Sequence, residues 1–301
     1  MLTAIVTIPP YAPFAEAVAQ HPLVAGLRLN TVMPLKDSPR QVLQRLAGLG
    51  KPLWVDLKGR QLRVVGAAIP PFTEVRLSHP IDVPTPTPVY FSDGHQVGVA
   101  AAVDGDRLIL EDGPRRLIGP GESVNIPHPD LQVHGTLTAT DREYLAAMRE
   151  LGQKRVMLSF TECESDLEEV RSLLPGADIV AKIESVRGLD FTRRRPTARL
   201  MAARGDLYVE VVRPHRLVAA LRQVVEADPS ALVASRLFGS LAHGAVPEAS
   251  DIGDAAFLLS LGYRTFMLGD EVCLREESVL AALDLLGEVA RECLQTTTCL
   301  R

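Results

Sequence analysis

Residues 178–211 read "DIVAKIESVRGLDFTRRRPTARLMAARGDLYVEV". Two apolar runs, 178–183 and 199–204, each end in charge: Lys182 and Glu184 at the first, Arg204 and Asp206 at the second, with a short helical stretch between them. Bringing a lysine, two carboxylates and an arginine to the edge of a core is costly unless they compensate one another. Strand, helix, strand is also the unit from which parallel α/β sheets are built.

The unit recurs in both directions. Runs of β-forming residues stand at 3–8, 25–30, 53–57, 155–160, 178–183, 199–204, 231–235 and 264–268. Helical periodicity fills 38–50, 141–152, 165–174, 213–227 and 251–262, and a last helix is predicted over 276–294. Gly50, Gly152 and Gly262 follow the last periodic residue of their segments, where a helix end favours left-handed dihedrals. Eight alternations predict a (β/α)8 TIM barrel, with an open doubly wound sheet as the second choice. Between the third and fourth runs the helical period gives way to short alternations rich in Val, Gly and Pro. A barrel formed by residues 1–63 and 131–301 is expected, with a small β-rich lid domain inserted over 64–130.

The chain has 301 residues, 47% hydrophobic and 23% charged, as a folded globular protein with a sizeable core should. A net charge of -5 and a single short basic run, 193–196, argue against a nucleic-acid binder. Cys163, Cys273, Cys293 and Cys299 show neither C-x-x-C spacing nor pairing with His, so neither zinc nor disulfides are expected and a reducing cytoplasm fits. The N-terminus lacks a charged n-region, and no run approaches the roughly 18 apolar residues of a spanning helix. Secretion and membrane insertion are therefore not expected, and a homo-oligomer is compatible with the chain.

Side chains two apart on a strand share a face. Arg28 with Asn30, Asp56 with Lys58, Lys182 with Glu184, and Arg204 with Asp206 all fall at strand ends, and Ser235 ends the seventh run. In a barrel these ends converge on the C-terminal rim, where active sites lie. Mixed carboxylates and cations there suit a divalent cation and an anionic substrate, and Mg2+ needs only one or two protein carboxylates.

"IVAKIESVRGL" (179–189) with "MAARGDLYVEV" (201–211) resembles pyruvate kinase, which carries K-I-E followed by A-R-G-D-L-G-V-E. "IVTIPP" (5–10), "LRLN" (27–30), "VDLKGRQLR" (55–63), "VYFSDG" (89–94), "ESVNIP" (122–127) and the stretch 247–271 are similar to further family motifs in the same order. "ASRLFGSL" (234–241) stands where the family has A-T-Q-M-L-E-S-M.

The resemblance implies that Glu184 and Asp206 hold Mg2+ or Mn2+ and that Lys182 stabilises charge on the migrating phosphoryl group. It assigns Arg28 and Arg63 to the phosphate of phosphoenolpyruvate, with Lys58 beside them. It assigns the backbone N–H groups around Arg204, Gly205 and Asp206 to the substrate carboxylate, Ser235 to the hydroxyl near the enolate carbon, and Asp93 to the lid. The chemistry implied is an electrophilic clamp on an enolate.

The departures lie on the other half of the reaction. Asn30 and Asp56 remain of a K+ site, but Val32 and Leu57 replace its hydroxyls, and Gln61 stands where the family has Glu or Lys. Glu122 takes the place of a nucleotide-binding lysine, and Glu162 with Cys163 that of a basic pair. The lid is shorter, and the family's C-terminal regulatory domain is not expected. Three readings follow: a Mg2+-dependent enzyme working through an enolate of phosphoenolpyruvate, pyruvate or a related 2-oxo acid with an eroded nucleotide site; a minimal pyruvate kinase using ADP; and a non-catalytic metabolite-binding protein.

Overall fold

The computed structural model describes residues 1–33, 36–66, 74–92 and 94–295. Eight parallel strands close into a barrel: β1 (Thr3–Thr7), β2 (Val24–Asn30), β3 (Leu53–Leu57), β4 (Arg155–Leu158), β5 (Asp178–Ile183), β6 (Arg199–Ala203), β7 (Leu232–Ala234) and β8 (Thr265–Leu268). Consecutive strands pair, and β1 pairs with β8 to complete the ring, which rules out the open sheet. Four strands, β1, β4, β6 and β7, stop one or two residues short of their predicted ends. After β4 the chain turns at Phe160, whose φ is 48°, and after β6 the helix Arg204–Glu210 starts at once.

The helices begin where local chemistry says they should. Ser38 and Thr138 form capping boxes at the helices Pro39–Ala47 and Ala139–Glu150, which satisfy N–H groups that have no partner inside the helix. Gly262, at φ 110°, caps the C-terminus of Ala249–Leu261 in the left-handed region.

Period two decides what enters the barrel. Ile5, Trp54, Met157, Val180, Met201 and Met267 pack together inside it, while Ile179, Ala181 and Ile183 belong to the layer between strands and helices. Continuing the series of Ile5, Trp54, Met157 and Val180 by two residues gives Thr7, Asp56, Ser159 and Lys182. The polar site therefore sits directly on an apolar plug. Gly26 makes room in that plug, because a Cβ there would lie 3.2 Å from the Trp54 indole and from the Pro52 carbonyl.

Between β3 and β4 lies a five-stranded antiparallel sheet in the order Glu74–Arg76, Arg107–Asp112, Gln96–Asp104, Thr87–Phe91, Val124–Asn125. It has its own apolar cluster, which includes Val75, Val89, Phe91, Leu108 and Leu110 and draws in Leu62 and Leu131 from just outside the expected 64–130 span. Ile81–Asp82 pairs with Gln132–Val133, past that span as well. Among the described residues no helix is long and apolar enough to cross a membrane.

Candidate active site

A cavity of about 490 Å3 opens at the C-terminal ends of the strands, beneath the inserted sheet. Of the residues expected there, Arg28, Asn30, Lys58, Arg63, Lys182, Glu184, Gly205, Asp206 and Ser235 line it. Asp56 and Arg204 do not, and Asp93 falls outside the described residues.

Asp56 organises the floor from below. It is fully buried, and its Oδ2 accepts hydrogen bonds from Arg28 Nε (2.8 Å) and Nη2 (2.5 Å). Its Oδ1 accepts from Lys182 Nζ (3.2 Å) and Ser159 Oγ (3.3 Å). Lys182 also donates to Ser159 Oγ (2.8 Å) and pairs with Glu184 Oε1 (3.2 Å). Burial disfavours charge on all of them. Even so, Lys182 and Arg28 hold Asp56 well below the usual carboxylate range, and Asp56 with Glu184 holds Lys182 above the usual lysine value. Lys182 is thus a protonated ammonium fixed by three partners.

The pair Asn30 and Asp56, expected as the remnant of a K+ site, is differently engaged. Asp56 serves Arg28 and Lys182, while Asn30 Oδ1 accepts from Lys58 Nζ at 2.8 Å and Asn30 Nδ2 donates to Asp270 (2.9 Å). The Lys58 amine nitrogen therefore stands against the Asn30 oxygen expected at that cation site. Burial, with Arg63, Lys182 and Arg28 nearby, pushes Lys58 down to about 7 despite Asp56. Behind it Asp141, also fully buried, accepts from the N–H groups of Lys58 (2.8 Å) and Gly59 (3.1 Å). Gly59 has φ 52°, and a Cβ on it would meet the Ser159 carbonyl at 2.4 Å, so no other residue brings β3 and β4 this close.

Arg28 was expected to grip a substrate phosphate. Besides Asp56 it donates to Thr7 Oγ1 (2.9 Å) and Asp270 Oδ2 (3.2 Å), so four of its five N–H donors have these partners in the chain.

Asp206 and Glu184 also accept from neutral donors of the chain. Asp206 accepts from the Gln61 amide (3.1 Å) and the Asn125 amide (3.1 Å), and Glu184 Oε2 accepts from Phe160 N–H (2.8 Å). These bonds fix the carboxylates, and the Lys182 ammonium balances part of the charge on Glu184. Among the described residues no three of His, Cys, Asp and Glu converge. Two buried carboxylates on one cavity still fit Mg2+ or Mn2+, which complete their shells with water and substrate oxygens.

Gln61 makes a second link. Its Oε1 accepts from Arg63 Nε (3.1 Å) and Nη2 (2.5 Å), and Arg63 also donates to the Gly121 carbonyl. An amide can accept from an arginine at one end and donate to a carboxylate at the other, whereas an ionised Glu has no donor and Lys no acceptor. Neither Glu nor Lys at position 61 could do both.

Asn125 extends the chain to Glu210 (3.2 Å), whose carboxyl is pushed up to about 8, chiefly by burial and against the Asn125 hydrogen bond. A carboxyl raised on folding stabilises the native state fully below its unfolded value of 4.5 and loses that contribution as pH rises through about 8. Glu210→Gln is expected to remove this dependence. From about pH 5 to pH 8 wild type should lose roughly 2 °C or more of melting temperature relative to the variant. Melting curves that stay parallel across that range would show that Glu210 ionises without cost.

Arg204, expected to touch substrate, lies behind the cavity wall. It donates to Asp254 (2.6 and 2.8 Å) and to the carbonyls of Ser235 (2.7 Å) and Arg236 (3.0 Å). Those two residues have φ of 70° and 54°, a left-handed pair costing about 1–3 kcal/mol per residue unless the surroundings impose it. Arg204 imposes it, and so sets the direction of Ser235 and Arg236.

On the expected nucleotide side, both intruding glutamates are neutralised within the chain. Glu122 pairs with Arg116 (2.6 Å) and accepts from Gly119 N–H (2.8 Å) and the Ser92 hydroxyl. Glu162 pairs with Arg187 (2.9 Å) and accepts from Ser185 Oγ (2.5 Å).

Sequence reading missed Thr7, Ser159, Asp141, Asn125, Glu210 and Asp270. The same-face rule applied to β1 and β4 finds Thr7 and Ser159. Asp141 is visible only as the third residue of a capping box, and nothing local marks Asp270, which reaches Arg28 and Asn30 across 242 and 240 residues of chain.

No family model matches the chain. It is 32% identical over 183 residues to a pyruvate kinase of Agrobacterium vitis, a match covering 58% of this chain and 37% of that one. A second pyruvate kinase of that organism is 30% identical over 219 residues (64% and 44% covered). A pyruvate kinase of Encephalitozoon cuniculi (strain GB-M1) is 29% identical over 189 residues (61% and 44%). The chain spans less than half the length of these curated relatives. With its closed barrel and inserted antiparallel sheet, it is pyruvate kinase-like over about 60% of its length.

Proposed function

We propose that this chain is a divalent-metal-dependent enzyme acting through the enolate of pyruvate, phosphoenolpyruvate or a related 2-oxo acid. The observation that carries the reading is the protonated Lys182 paired at 3.2 Å with Glu184, on a cavity that Asp206 also lines. Glu184 and Asp206 would hold the metal, whose contribution when bound is Lewis-acid stabilisation of an enolate oxygen. Lys182 adds a fixed positive charge that need not reorganise as negative charge develops. Ser235 places a hydroxyl at the cavity wall for proton delivery, and the N–H groups of Gly205 and Asp206 are candidates for the substrate carboxylate. The partners of Arg28 and Lys58 within the chain favour an enolate or 2-oxo acid over a site organised around a phosphate. Lys58 against Asn30 makes K+ dispensable.

The test is thermal unfolding with Mg2+ and oxalate, a mimic of the enolate. A ligand at about 100 times its Kd stabilises by about 2.7 kcal/mol, a shift of several degrees. The shift should be the same in K+ and in tetramethylammonium buffer. No shift in either buffer overturns the enzymatic readings and leaves the metabolite-binding one.

A second reading, phosphoryl transfer from phosphoenolpyruvate to ADP in a minimal pyruvate kinase, is favoured by the pairing of Glu122 with Arg116 and Glu162 with Arg187. These pairs remove the repulsion that unbalanced glutamates would exert on a polyphosphate. A lactate-dehydrogenase-coupled assay separates the two. Pyruvate release from phosphoenolpyruvate that depends on ADP supports transfer, and release without ADP supports the first reading.

A further inference from the structure

Arg236 lines the same cavity and is exposed at its rim. Its guanidinium lies over the ring of Tyr208, 4.5 Å from the centroid. Among the described residues its side chain has no carboxylate partner, whereas Arg28, Lys182 and Arg204 are each paired with acids. Stacking on an aromatic face holds a cation in place without cancelling its charge. The backbone beneath is equally determined: Ser235 and Arg236 are both left-handed, and the Arg204–Asp254 pair pins their carbonyls. In the family motifs quoted above, the positions of Tyr208 and Arg236 hold Gly and Gln. Both halves of the stack therefore depart from those motifs.

We propose that Arg236, aimed by this turn and braced on Tyr208, is a second anion subsite, and that the substrate is a 2-oxo acid carrying a further carboxylate or phosphate at its distal end. The subsite rests on the reading of Lys182, Glu184 and Asp206 as the enolate end. An arginine fork pairs with either anion in bidentate fashion, and at the rim it selects substrates whose far end is charged.

Calorimetric titration of the Mg2+-loaded protein with matched pairs tests this: 2-oxoglutarate against 2-oxopentanoate, and 2-oxoadipate against 2-oxohexanoate. Wild type should bind at least one diacid about tenfold or more tightly than its partner. Arg236→Gln should abolish that preference and leave oxalate affinity within about twofold. Tyr208→Phe, which keeps the ring, should retain the preference, and Tyr208→Leu should reduce it. Equal affinities within both pairs, with oxalate still bound, overturn the subsite alone. Absence of oxalate binding overturns the enolate reading and the subsite with it. If Arg236→Gln weakens ADP and leaves the preference for diacid unchanged, Arg236 serves a nucleotide phosphate and the distal-anion proposal falls.

Discussion

Lys182→Met is expected to lower turnover by about 10²- to 10³-fold while sparing metal binding. The magnitude is that of removing one preorganised charge aimed at a developing oxyanion. The specificity follows from the partners of Lys182. Its ammonium neutralises Asp56 and Glu184, at 3.2 Å from each, so removing it leaves both carboxylates more negative. Asp56 keeps Arg28 at 2.8 and 2.5 Å, which limits structural loss, and Glu184 keeps the Phe160 N–H. A metal held by Glu184 and Asp206 should therefore bind as well as before or more tightly. Single-turnover kinetics on the substrate found, paired with calorimetric titration of Mg2+ and oxalate, check both halves. Turnover within tenfold of wild type sinks the electrophilic role, and loss of Mg2+ affinity would instead make Lys182 a structural prop of the metal pair.

Asp56→Asn is expected to cost about 3–5 kcal/mol of stability, the range for removing one partner from a buried ion pair. Asp56 is 0% exposed, and Arg28, Lys58 and Lys182 around it are each under one-tenth exposed. Without its charge, three cations would share a poorly solvated wall. Some relief would come from deprotonation of Lys58, already at about 7, and the rest must appear as lost stability. In wild type, Asp56 is depressed on folding. Its stabilisation is present above its unfolded value of 3.8 and is lost only as pH falls well below that, so Asp56 itself adds no pH dependence from about pH 5 to pH 7; because Lys58 gives up its proton more readily in the variant, the deficit of Asp56→Asn should be largest near pH 5 and shrink toward pH 7. Guanidinium denaturation across that range measures it. A loss under about 1 kcal/mol would mean that the cations are better solvated than their burial implies.

The two substitutions separate the layers of the site. Lys182 and Asp56 touch each other, yet one faces the cavity and the other lies under it. Only the first should affect chemistry more than folding.

The barrel and the rim were legible because both follow from local rules. A run of apolar residues closed by a capped helix is read within about 20 positions, and period two carries each inward face from the plug residues Trp54 and Val180 to Asp56 and Lys182. The same rule applied to β1 and β4 would have reached Thr7 and Ser159. Arg204 shows the rule's limit: it sits at a strand end, but the helix Arg204–Glu210 begins there, and the change of backbone turns its side chain toward Asp254.

By itself, then, the sequence determined the eight-stranded alternation, the insertion after β3, and the residues on which charge gathers, because hydrophobic period and strand ends are properties of neighbouring positions. Only the tertiary structure decided which charges answer which. Asp56 went to Arg28 and Lys182, Glu122 and Glu162 to their own arginines, Asp270 to Arg28 across the closed barrel, and Arg236 to a tyrosine face. Such pairings depend on distances of about 3 Å between positions tens to hundreds of residues apart, and a buried charge takes whichever counter-charge the closed fold brings nearest.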